Sequence, residues 1–247
     1  MKLLIDAGNT RIKWALLSAA GDGLRSGILP VGQASELPGL FAESQGIRQI
    51  WVSNVAGEEV AQQVRNICAG RSVQLRFIVA QEMQCGVRNS YTNAAQLGSD
   101  RWASLIAAWH LVQGKCLVAN CGTAITIDTL SGQGEFLGGL ILPGIELMQR
   151  SLAAATDQLK YGHVKLEQGK YRQYPLNTAD ALVSGAIQAG CGAIQRQHAL
   201  LDAADAPAVL SGGAAEVLRG YLNLPLRVVD NLVLQGLLLI SQEADVR

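Results

Sequence analysis

The chain has 247 residues, 49% of them hydrophobic, with 20 basic and 20 acidic side chains and a formal net charge of zero. That is enough chain for two domains of about 120 residues, each able to bury a core. The balanced charge, with no run of Lys or Arg, excludes the electrostatic footprint of a nucleic-acid binder or a protein held on an anionic membrane, so neither is expected as a partner.

The first apolar run, Lys2–Ile5, ends in Asp6-Ala7-Gly8-Asn9-Thr10 and reads as a buried strand entering a turn. Arg11–Leu17 makes a hairpin with it, and Leu24–Val31 is a third strand. A polar helix over Ser35–Glu43, a strand at Gln49–Val55, a helix at Glu58–Ala69 and a strand at Val73–Val79 follow. Apolar residues at helical spacing (Trp102, Leu105, Ile106, Trp109) predict a helix over Ser99–Val112. The second half starts over. Strands are expected at Lys115–Asn120, Ala124–Leu130 and Glu135–Leu142, then helices at Gly144–Leu159 and Thr178–Ala203. Strand Ala206–Leu210, helix Ala214–Leu222, strand Leu226–Val229 and helix Leu232–Glu243 close the chain. Both halves open with three strands and then mix helices and strands, so the expected class is α/β. The predicted boundary lies where Gln113-Gly114-Lys115 breaks a helix, dividing 1–113 from 114–247.

Asp6 interrupts the opening apolar run, so a secretory signal is not expected there. No later apolar stretch reaches membrane-spanning length. The five cysteines, Cys68, Cys85, Cys116, Cys121 and Cys191, contain no CxxC pair, which fits a reducing compartment and a cytoplasmic protein. The histidines, His110, His163 and His198, form no cluster in sequence.

Three segments carry chemistry. An acidic side chain ending a buried strand is costly without a partner. Asp6, followed by a glycine turn rich in donors and by Lys13, is suited to phosphates, with Mg²⁺ facing Asp6 directly or through water. A hairpin turn capped by Asp and Asn is the simpler alternative. Gly122-Thr123 repeats the strand–turn–strand theme, with Asp128 inside the following strand. Its backbone N–H groups are suited to oxyanions, or simply to a second structural hairpin. Ser211-Gly212-Gly213 is either a tight strand-to-helix turn or a flat platform for a nucleoside.

In this order the DxGNT, GTAxT and SGG segments resemble the phosphate and adenosine motifs of the acetate-kinase, sugar-kinase, Hsp70 and actin superfamily. Gly98-Ser99-Asp100-Arg101 and Gly138-Gly139-Leu140-Ile141-Leu142-Pro143-Gly144 are similar to the GxDR and GGxIxPG segments of type III pantothenate kinases, and Asn177-Thr178-Ala179 and Asn231–Leu237 fit the same pattern. The resemblance spans residues 6–237 and implies two ribonuclease H-like domains with the active site in the cleft between them. It implies ATP at Asp6, Ala7, Gly8, Asn9, Thr10, Arg11, Ile12, Lys13 and Thr123, and pantothenate at Tyr91, Gly98, Ser99, Asp100, Arg101 and Thr178. It further implies a homodimer with Thr178 acting from the partner subunit, and Asp100 as catalytic base. Phosphoryl transfer needs positioning more than base strength, so a carboxylate is adequate there. A charge favoured at a helix N-terminus, capped by Ser99, is the alternative for Asp100. The family often carries Asp at a monovalent-cation position that is Asn120 here, so little or no need for K⁺ or NH₄⁺ is expected. Two other readings remain: a kinase of another small alcohol such as a sugar, and a Bvg-accessory-factor-like transcriptional regulator without kinase activity.

Overall fold

The computed structural model describes residues 1–18, 22–42, 44, 46–155 and 169–246. His163 and the predicted helical residues 156–159 lie outside them. The described residues form two compact units, one of residues 1–113, 134–136 and 231–247 and one of residues 114–133 and 137–230. The first half of the chain thus recruits the last helix, which the sequence reading places with the second half.

Unit 1 is built on a five-stranded sheet of β1 (Lys2–Ala7), β2 (Arg11–Leu17), β3 (Gly23–Pro30), β4 (Gln49–Asn54) and β5 (Gln74–Phe77), in the order β3-β2-β1-β4-β5. β1 is central, antiparallel to β2 and parallel to β4. Helix α1 is a single turn at Leu37–Leu40, preceded by a 3₁₀ segment over Val31–Glu36, where the sequence predicts a longer helix; Pro38 enters at its first turn and Gly39 weakens continuation. Helix α2 (Glu58–Ile67) turns Val60, Ala61, Val64 and Ile67 inward. Leu3, Ile5, Ile12, Trp14, Phe41, Ile50 and Val52 fill the core beneath it, and Trp14 meets Phe41 edge-on at 5.1 Å.

Two short strands not foreseen from sequence, β6 (Met83–Gln84) and β7 (Val87–Asn89), form an antiparallel ribbon. They lead to helix α3 (Ser99–Val112), which is buried almost all round. The last helix, named here α7 (Leu232–Val246), crosses α3 so closely that a Cβ on Gly236 would collide with the Ala103 carbonyl. Both helices are apolar over most of their surface, so each needs the other as cover. This pairing is why the C-terminal helix joins unit 1. Lys2 fastens its end, donating to Ser241 Oγ and Asp245, while Gln49 donates to the other Asp245 oxygen.

Unit 2 repeats the plan. Strands β8 (Cys116–Cys121), β9 (Ala124–Leu130) and β10 (Glu135–Pro143) open it, and β11 (Ala208–Ser211) and β12 (Leu226–Val228) complete the order β12-β11-β8-β9-β10. β8 is antiparallel to β9 and parallel to β11. The first two residues of β10 belong to unit 1, where Glu135 and Phe136 pair with Arg88 and Asn89 of β7. Helices α4 (Ile145–Ala155), α5 (Thr178–Leu200) and α6 (Ala215–Arg219) cover this sheet. Ile187, Cys191 and Ile194 of α5 meet Ile125, Ile127 and Leu117 in the core. None of the five cysteines is in a disulfide, and burial pushes the Cys116 and Cys121 thiols up to about 12, so both are inert packing groups. No described helix is long and apolar enough to cross a membrane.

Candidate active site

In unit 1, Asp6 lies one residue before the end of β1. Its register partners are Lys13 on the antiparallel side and Ser53 on the parallel side. The turn beyond closes when the Gly8 N–H donates to the Arg11 carbonyl at 3.1 Å, which leaves Asn9, Thr10 and Arg11 exposed. Ala7 and Ile12 are fully buried, so in the predicted ATP segment these two have only backbone to offer a ligand.

The Asp6 carboxyl is pushed up to about 7. Removal from water is the main cause, the negative charge of Asp100 adds to it, and Lys13 only partly offsets it. Two carboxylates thus face one electrostatic problem with one nearby amine to relieve it. The residues present fit a divalent cation there, which Asp6 would hold by a carboxylate oxygen, directly or through water. The described residues hold no group of three or more acidic, Cys or His side chains of the kind that encloses a metal by itself.

Asp100 is the second residue of α3. Gly98, not Ser99, occupies the cap position, and no side chain caps the helix. The Ser99 hydroxyl is buried and bonds to Ser53 Oγ at 2.9 Å, tying the start of α3 to the strand beside Asp6. Gly98 is needed for space, since a Cβ there would lie 2.7 Å from Asp100 Oδ1. That oxygen accepts from the Arg101 N–H at 2.8 Å, and Ser104 Oγ donates to the Asp100 carbonyl. The carboxylate is therefore oriented by its own helix end, where the dipole favours negative charge. Arg101 is almost fully buried and donates to Tyr91 Oη at 3.3 Å. Asp6, Lys13, Tyr91 and Gly98–Arg101 all belong to unit 1.

In unit 2, Thr123 is exposed on the β8–β9 turn, which closes through a Gly122 N–H bond to the Ala124 carbonyl. Asn120 sits opposite Thr126 and Ser211. Among the described residues Thr126 Oγ1 is buried and without a partner, so this row offers neutral oxygens to a cation but no carboxylate. Two further glycines serve this turn. A Cβ on Gly144 would collide with the Gly122 carbonyl, and one on Gly212, at φ +97°, would lie 2.5 Å from the Cys121 carbonyl oxygen. The Ala214 N–H also donates to the Cys121 carbonyl. The GGLILPG and SGG segments therefore converge on the GT turn of unit 2, a juxtaposition that sequence order does not reveal. Thr178, also of unit 2, is exposed on the first turn of α5, which Asn177 caps by accepting from the Asp180 N–H at 2.9 Å.

The sequence reading missed Ser53 and Phe136, which reach the predicted site residues from distant strands, and Asn89, which accepts from the Tyr91 N–H two residues on.

The chain resembles solved structures over nearly its whole length. The match covers 99% of its residues and 100% of a protein from Campylobacter jejuni assigned to the Baf family of transcriptional activators (TM-score 0.63, 22% identity). It likewise aligns over 99% of both chains with a candidate 2-dehydro-3-deoxygalactonokinase from Sinorhizobium meliloti (TM-score 0.60, 16% identity). At these identities the shared property is the fold. That fold is a pair of α/β units, each built on a mixed sheet. More narrowly, the family profile of type III pantothenate kinase matches residues 2–199. A type III pantothenate kinase from Nitrosospira multiformis is 45% identical over 244 residues, covering 98% of this chain and 91% of that protein. The chain belongs to the type III pantothenate kinase family.

Proposed function

We propose that this chain transfers the γ-phosphoryl group of ATP to the primary hydroxyl of pantothenate, giving ADP and 4′-phosphopantothenate, the first step towards coenzyme A. The observation that carries the assignment of roles is Asp100, held at the N-terminus of α3 by its own helix and electrostatically coupled to Asp6. Asp100 accepts the proton of the attacking hydroxyl. Tyr91, Gly98–Arg101 and Thr178 hold pantothenate, with Arg101 presenting a fixed guanidinium suited to its carboxylate. Asp6–Lys13 and Thr123 hold ATP, the turns donating backbone N–H groups to phosphate oxygens. Mg²⁺ accompanying ATP supplies charge neutralisation near Asp6. The active unit is a homodimer in which Thr178 serves the partner's site, in a cytoplasmic protein. The neutral row at Asn120 makes turnover nearly independent of K⁺ and NH₄⁺.

The test is coupled ADP release with ATP and Mg²⁺, offering pantothenate beside a panel of sugars and other small alcohols. Turnover confined to pantothenate is expected. Turnover of a sugar in its place would move the assignment to another kinase, and no turnover by folded protein, with or without K⁺, would refute the kinase reading.

A further inference from the structure

Asn89 ends β7 and is only 8% exposed, an unusual place for an amide. Both ends of that amide are used. Its Oδ1 accepts from the Tyr91 N–H at 3.0 Å, and its Nδ2 donates to the Ala94 carbonyl at 3.1 Å. One buried side chain thus closes both the near and the far side of the loop that presents Tyr91. In the ladder, Asn89 is the register partner of Phe136, which is fully buried. The Phe136 ring lies 5.2 Å from that of Tyr91, tilted by 43°. The Arg101 guanidinium carbon lies 5.8 Å from the Phe136 centroid and 6.0 Å from the Tyr91 centroid, so the cation rests against two aromatic rings.

We infer that Asn89 and Phe136 are positioning residues for pantothenate, acting through Tyr91 and Arg101. Asn89 fixes the backbone from which Tyr91 projects. Phe136 fixes the tilt of the Tyr91 ring and the plane of the Arg101 guanidinium. Neither touches substrate. A guanidinium fork is selective only when its plane is held, and an aromatic face gives that restraint without competing for its hydrogen bonds. The inference rests on the proposed role of Tyr91 and Arg101 in holding pantothenate.

The test is steady-state kinetics of the full-length protein varying each substrate in turn, with thermal melts alongside. Asn89→Ala is expected to raise the KM for pantothenate about tenfold, and Phe136→Leu about fivefold, with the KM for ATP changed by less than about twofold, the scale of losing one or two buried polar or aromatic contacts. Asn89→Asp keeps the acceptor for the Tyr91 N–H and loses the bond to Ala94, so it should fall between wild type and Asn89→Ala; it also serves if Asn89→Ala does not fold. In a Tyr91→Ala background, Asn89→Ala should add little, since it acts through the residue already removed. Unchanged pantothenate KM in folded variants, equal rises for both substrates, or full additivity with Tyr91→Ala would each overturn the inference while leaving the kinase reading intact. A wild-type protein that does not phosphorylate pantothenate would overturn both.

Discussion

The two units build the same frame and charge it differently. β1 and β8 are each flanked by an antiparallel strand on one side and a parallel strand on the other, and each ends in a glycine turn. Asp6 and Asn120 hold equivalent places, one residue before the strand ends. The cross-strand row reads Lys13–Asp6–Ser53 in unit 1 and Thr126–Asn120–Ser211 in unit 2. One row carries a carboxyl whose pKa is raised by burial and by a second carboxylate; the other is neutral and, among the described residues, leaves a buried hydroxyl without a partner. Topology therefore supplies the turn, and the residue before it decides what the turn does. In these two rows the ionisable side chains, Lys13 and Asp6, lie in unit 1, and the unit 2 row has none.

That contrast is open to attack at several points. Asp6→Asn should lower kcat by about a hundredfold or more, the scale of losing a positioned electrostatic group. It should also stabilise the ligand-free protein at pH 8. The sign follows from the shift: a carboxyl held above its ordinary 3.8, at about 7, keeps a proton in the folded state that the unfolded state has lost, so folding stability declines as pH rises across that window. Melting curves at pH 5 and pH 8 should therefore converge in the variant, the gain at pH 8 scaling as about 1.4 kcal/mol per unit of pKa shift. A wild-type protein no less stable at pH 8 than at pH 5 would count against the assignment.

Gly144→Ala probes unit 2, where space rather than charge is at stake. The added methyl meets two carbonyl oxygens of the GT turn, colliding with that of Gly122 and lying 2.6 Å from that of Thr123. A cost of about 3 kcal/mol, seen as a fall of about 10 °C in melting temperature, is expected. A melting temperature within about 2 °C of wild type would show that the turn yields freely.

Asn120→Asp would give unit 2 the charge that unit 1 has. Turnover should then become stimulated severalfold by K⁺, while wild type changes by less than about twofold when K⁺ and NH₄⁺ are withdrawn. Smallest of all, Asp245→Asn should cost under about 1 kcal/mol, because the Asp245 carboxylate is 42% exposed and the buried Lys2 amine keeps its bond to Ser241 Oγ. Hydrogen bonds from Gln49 and Lys2 hold Asp245 below the usual carboxylate range, so its contribution is present above the ordinary Asp value and fades as pH falls through the folded one. Acid titration of wild type and variant should therefore converge at low pH.

Much of the frame is legible in the sequence because its signals are local. Ala124–Leu130 and the start of α3 at Ser99 are where apolar period and glycine punctuation place them. The site motifs are legible for the same reason: Asp6 and Asp100 are charges in settings that ordinarily exclude or cap them. What escapes depends on register between distant segments. β6 and β7 span two and three residues, too few to show alternation. Ser99 reads as a helix cap, yet Ser53, 46 positions away, claims its hydroxyl and leaves the cap to Gly98. Gly144 reads as the first residue of a helix until the Gly122 carbonyl is placed against it. The C-terminal helix reads as part of the second half because nothing in Leu232–Val246 announces that Ala103 is its neighbour.

The most direct test follows the phosphoryl group itself. With ATP labelled at the γ-phosphate, wild type and Asp100→Asn are compared for label appearing on pantothenate, with melting curves confirming that both are folded. Label on the primary hydroxyl in wild type, reduced at least about a hundredfold by the substitution, is the expected result for a positioned base. Undiminished transfer in the variant, or no label on pantothenate in folded wild type, would contradict the assignment.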